Sequence, residues 1–90
     1  MHPALHNILL GLDTKVIDIT DYFNWEEQEK EGLFDFIHQC FIPVLRKGEK
    51  HKQFLMASIW RIILECEENE EYEQADIMMQ CLHNLESGKW

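Results

Sequence analysis

The chain of 90 residues is poor in the residue types that carry most recognisable chemistry, and each shortage narrows the reading. Its four glycines, Gly11, Gly32, Gly48 and Gly88, stand singly, so they form neither a phosphate-cradling loop nor a dinucleotide fingerprint. The three cysteines, Cys40, Cys66 and Cys81, are odd in number and lack a CxxC spacing, which argues against a closed disulfide framework. They fall on the apolar sides of predicted helices and read as buried free thiols. Cationic residues are scarce as well. Lys and Arg number 8 against 17 Asp and Glu, a net charge of −9, and that balance opposes direct binding to nucleic acid or to an anionic membrane. No apolar run approaches the ~18 residues of a membrane span, since Arg61 interrupts the longest candidate. The first residues, MHPALHNILLGLD, lack the charged start and small-residue cleavage site of a secretory signal, and the expectation is a cytoplasmic protein.

Catalytic equipment is missing too. No Ser-His-Asp spacing, HExxH or comparable motif occurs, so the sequence predicts no enzyme and no cofactor. His2 and His6 at i, i+4, together with Cys81 and His83 near the other end, are the donors from which a metal site would have to be assembled across the fold. His38, between Ile37 and Cys40, reads as a histidine packed at the edge of a core.

Apolar content is not scarce. It reaches 46%, enough to exclude intrinsic disorder, and 90 residues suit one domain. The stretch Gln53–Glu68 is apolar around nearly its whole circumference as a helix, interrupted by a stripe of Ser58, Arg61, Glu65 and Glu68. Before it, Leu33, Phe36, Ile37, Cys40, Phe41 and Val44 follow a helical series, with Pro43 expected to kink or interrupt the helix before Arg46, Lys47 and Gly48. After it, Tyr72, Ala75, Met79, Leu82 and Leu85 mark the face of a further helix ending at Ser87 and Gly88. Pro3, Leu5, Ile8, Leu9, Leu12 and Gly11 suggest a short helix at the start, followed by an ordered connector over Lys15–Thr20. Asn24 with Glu27 resembles a helix-capping pair.

The expected fold is therefore all-α: a small antiparallel bundle of three to four helices in one domain spanning 1–90. Its expected core is Leu33, Phe36, Ile37, Phe41, Leu55, Ile59, Ile62, Ile63, Met79 and Leu82. The polar connection RKGEKHK is expected as the loop that returns the chain. Trp60, Tyr72 and Ala75 around a tight turn resemble one tetratricopeptide-type hairpin over about a third of the chain, present once and without the family's turn glycine.

In such a bundle the carboxylates gather. Glu26, Glu27, Glu29 and Glu31 open one helix, Glu65, Glu67 and Glu68 close the next, and Glu70, Glu71, Glu73 and Asp76 open the third, all expected at one end. Arg46, Lys47, Lys50, His51 and Lys52 fall at the other. Carboxylates at a helix N-terminus complement its dipole, but Glu65, Glu67 and Glu68 sit at a C-terminus, where the dipole opposes them. That placement points to a regulatory or inhibitory protein docking on the basic surface of a protein partner. The expected contacts are Glu65, Glu67, Glu68, Glu70, Glu71 and Glu73, edged by Trp25 and Tyr72. The alternatives are an acidic nucleic-acid mimic that blocks a DNA-binding enzyme and a small metal-binding helical protein. Phe54 and Trp60, too large and apolar to all point into one core, suggest self-association as a homodimer.

Overall fold

A computed structural model describes residues 18–90, and these form three α-helices and one 3₁₀ turn, with no strand among them. The proposed N-terminal helix and most of the connector, residues 1–17, lie outside the described residues. We number the helices α1 (Glu27–Leu45), α2 (Glu49–Glu68) and α3 (Tyr72–Glu86). The expected all-α class holds. No helix among the described residues is long and apolar enough to cross a membrane.

Three backbone details set the helix boundaries, and each departs from the sequence reading. Asn24 lies inside the 3₁₀ turn Tyr22–Asn24, so it does not cap α1. That role falls to Glu26, whose backbone N–H donates to Glu29 Oε1 at 3.4 Å, and the acidic first turn suits the positive end of the helix. Pro43 does not end α1, which continues to Leu45. A proline two residues before the end removes one bond, to the Gln39 carbonyl, while the Arg46 N–H still reaches Ile42 O at 2.9 Å. The returning loop is shorter than RKGEKHK. Gly48 adopts φ 110° and ψ −178°, a conformation that L-residues avoid, and α2 starts at once with Glu49, so Lys50, His51 and Lys52 belong to its first turn.

Between α2 and α3 the chain turns through Asn69–Glu71. The Glu71 N–H donates to Cys66 O at 2.8 Å and the Glu70 N–H to Glu67 O at 3.3 Å, the paired bonds of a Schellman cap. The left-handed position such a cap requires is normally glycine; here it is Glu70, at φ 59°.

The core combines Leu33, Ile37, Cys40 and Phe41 from α1 with Leu55, Ile59, Ile63 and Cys66 from α2 and Ile77, Met78, Cys81 and Leu85 from α3. Ile19 and Tyr22 close it from below α1. Six of the expected core residues, Leu33, Ile37, Phe41, Leu55, Ile59 and Ile63, are buried here and three, Phe36, Ile62 and Leu82, are packed half-buried against them; Met79 is the correction, 47% exposed. Reading Tyr72, Met79 and Leu82 as one face rotated α3 by part of a turn, because the inward line also contains the polar Gln74 and Asn84. All three cysteines are buried, and none of them forms a disulfide.

Trp90 folds back. Gly88, at φ 80°, turns the chain after α3, and the Trp90 N–H donates to Asn84 O at 3.2 Å. The indole then lies flat on His38 and edge-on to Phe41, tying the last residue to α1.

Candidate functional site

Two rows of polar side chains face each other between α1 and α3. Glu27, Glu31 and Asp35 stand at i, i+4 and i+8 on α1; Asp76, Gln80 and Asn84 repeat that spacing on α3. A spacing of four residues keeps side chains on one line of a helix, so the rows line a groove of about 570 Å³. Tyr22, Phe34 and Trp90 give it aromatic walls, and Lys30 and Lys89 also border it. Four carboxylates against two ammonium groups leave a formal charge of −2 in this groove.

Tyr22 organises one side of it. Its ring is buried in the core, with Phe23 and Trp25 edge-on at 5.6 Å each and the Lys30 ammonium 5.0 Å from its centre. Burial, then the Asp76 carboxylate to which it is hydrogen-bonded, and then Glu27 push the phenol's pKa well above its usual value. Tyr22 thus links the start of α1 to the start of α3. On the other side, the Gln80 amide donates to Asn84 Oδ1 at 3.2 Å, which fixes the buried Asn84 beside Trp90.

The residues expected from sequence occupy a second acidic surface, around the α2–α3 turn. Glu65, Glu67, Glu68 and Glu70 are exposed there, and Glu71 and Glu73 are partly buried at the start of α3. Glu65, Glu67 and Glu71 lie close enough to Cys66 to act on it: burial first, and then these carboxylates, push its thiol up to about 11. Burial and the raised pKa both favour the neutral thiol over the thiolate at Cys66. Tyr72 is exposed on the same turn. Trp25 is not a free aromatic edge: it is half-buried against Tyr22, and its indole N–H donates to Thr20 O at 3.0 Å.

Phe54 and Trp60 are both exposed on α2, at 76% and 49%. Six positions separate them, which is about a third of a turn around the helix, so they do not share one face. Trp60 borders a shallow hollow with Gln53, Met56 and Ala57 of α2 and Leu82 and Glu86 of α3. Among the described residues no group of three or more His, Cys, Asp and Glu is arranged to hold a metal ion; His2 and His6 lie outside them. His38 is half-buried beneath Trp90, the edge position expected of it.

Sequence reasoning missed the α1–α3 groove. The signal was present as two i, i+4, i+8 rows, Glu27-Glu31-Asp35 and Asp76-Gln80-Asn84, but only the packing of α1 beside α3 makes them face each other. Fold and site together define a small all-α protein with an acidic, aromatic-walled groove. No protein-family model matches the chain, and neither a curated protein nor a solved structure does.

Proposed function

We infer that this is a non-enzymatic regulatory protein that binds a basic segment of a protein partner, with the α1–α3 groove as the principal contact and the α2–α3 turn as an acidic flank. The observation that carries the reading is the row Glu27, Glu31, Asp35 opposite Asp76, set between Tyr22 and Trp90. A guanidinium or ammonium entering there meets carboxylates along its path and a ring face to lie on, a combination suited to arginine above all. Small anions are repelled by the same groove. Exposed Glu65, Glu67 and Glu68 would extend the negative potential and steer a cationic partner in, acting on the rate of association more than on the lifetime of the complex. The reading takes α2 and α3 to run antiparallel, which is supported by the hollow that Gln53, Met56 and Ala57 of α2 share with Leu82 and Glu86 near the end of α3.

The test is a cross-linked capture from the native host, repeated with the groove variant Glu31→Lys/Asp35→Lys and the flank variant Glu67→Lys/Glu68→Lys. A partner lost with the groove variant and retained, with slower association, by the flank variant supports the reading. A partner held equally by wild type and groove variant rejects it.

A further inference from the structure

Helix α2 carries a net charge against its own dipole at both ends. Lys50, His51 and Lys52 stand in its first turn beside a single carboxylate, Glu49, and Glu65, Glu67 and Glu68 in its last, where no basic residue is found. Each placement is mildly unfavourable in an isolated helix. Between these ends runs an apolar face. Gln53, Met56, Ala57, Trp60 and Leu64 follow i, i+3, i+4, i+7 and i+11; Trp60 and Leu64 are about half exposed, and Met79, one turn before Leu82, widens the patch on α3. Lys50 and Glu68 stand about five turns apart on a single line beside this face.

Such a face is complementary to itself. Rotating a copy by a half-turn about an axis through the middle of α2 lays the two helices antiparallel, Trp60 and Leu64 against Ala57 and Gln53, with Lys50 of each copy opposite Glu68 of the other. The two helix dipoles then also oppose each other, and the charges that are misplaced within one chain become partners between two.

We propose that the α2 face pairs two copies of this chain as a two-fold dimer, with Trp60 at its centre and Lys50–Glu68 ion pairs at its two ends. Phe54 lies at the rim, on the line of Arg61, seven residues away, and contributes less than Trp60. Each copy carries a net charge of −9, so association is weakest at low salt and is measured near 0.15 M, where the Debye length is about 8 Å.

Light scattering and sedimentation equilibrium on the full chain across micromolar to millimolar concentration give the test. Wild type is expected to approach twice the 10.8 kDa chain mass. Trp60→Asp, at a half-exposed position, is expected to weaken pairing at least ~30-fold with an unchanged helical spectrum. Lys50→Glu and Glu68→Lys should each weaken it by about tenfold, and mixing the two variants should restore pairing as a heterodimer, since each then supplies the charge the other lacks. A wild-type mass of a single chain at every concentration overturns the proposal. So does a dimer that is insensitive to Trp60→Asp, or charge variants that do not recover on mixing.

Discussion

The indole of Trp90 lies parallel to the imidazole of His38, ring centroids 4.9 Å apart and planes within 1°, and meets Phe41 edge-on at 5.8 Å. One residue at the end of the chain thereby closes one side of the α1–α3 groove and holds it against α1. Trp90→Ala is expected to lower stability by about 1–2 kcal/mol, less than for a fully buried tryptophan because the indole is half-buried. Urea unfolding measures the loss, and an unchanged midpoint would mean that the stack holds nothing in place.

Two turn positions predict opposite effects of equally small changes. Glu70 occupies the left-handed position of the α2 cap at φ 59°, so Glu70→Gly should raise stability by a few tenths to about 1 kcal/mol. Gly48→Ala should lower it by about 1–3 kcal/mol, although no atom lies within 4 Å of the added methyl, because the cost lies in the backbone at φ 110°. Thermal unfolding of the two variants side by side checks both signs.

The amide of Gln74 is fully buried, and neither its nitrogen nor its oxygen has a hydrogen-bond partner. Burying such a group without a bond costs about 1–3 kcal/mol, and a thioether of similar length carries no such penalty. Gln74→Met should therefore stabilise the protein by roughly 1 kcal/mol in chemical denaturation. A loss of stability would reveal a partner for the amide.

Alkaline pH should destabilise the fold. The Cys66 thiol moves from 9.0 to about 11 on folding, and Cys81 and Tyr22 are raised in the same direction, chiefly by burial. The unfolded chain releases these protons at lower pH than the folded one does, so above about pH 9 the unfolded state binds fewer protons and stability falls with pH. The Cys66 contribution is complete below pH 9 and lost as pH rises through about 11. Urea midpoints measured from pH 8 to 10.5 should fall, and Cys66→Ala should flatten part of the slope. A flat profile in wild type contradicts the burial of these groups.

Much of the fold was legible because apolar periodicity is a local signal. The series Leu33, Ile37, Cys40, Phe41 and Leu55, Ile59, Ile63, Cys66 are fixed by 3.6-residue spacing and reappear as the buried lines of α1 and α2. The face of α3 was misjudged in part: Ala75 and Leu85 are buried as expected, but Tyr72 and Met79 face solvent, and the inward line Ile77, Met78, Cys81 and Leu85 is obscured in the sequence by the polar Gln74 and Asn84 that share it. The groove was illegible for a different reason. Glu27 and Asp76 are far apart in sequence, and their approach depends on how α1 lies beside α3, which local composition does not specify. The acidic turn at Glu65–Glu71 was readable because its members are neighbours in the chain.

Where a cation binds tests the central claim most directly. A titration of uniformly ¹⁵N-labelled protein with an acetylated tri-arginine amide, followed by two-dimensional NMR at about 0.15 M salt, reports each backbone amide and the side-chain N–H groups of Trp90, Gln80 and Asn84. The account predicts saturable shifts at the Trp90 indole, Gln80, Asn84 and the backbone of Glu31 and Asp35, abolished in Glu31→Lys/Asp35→Lys. Shifts spread evenly over all acidic residues, or confined to Glu65–Glu73, would contradict it.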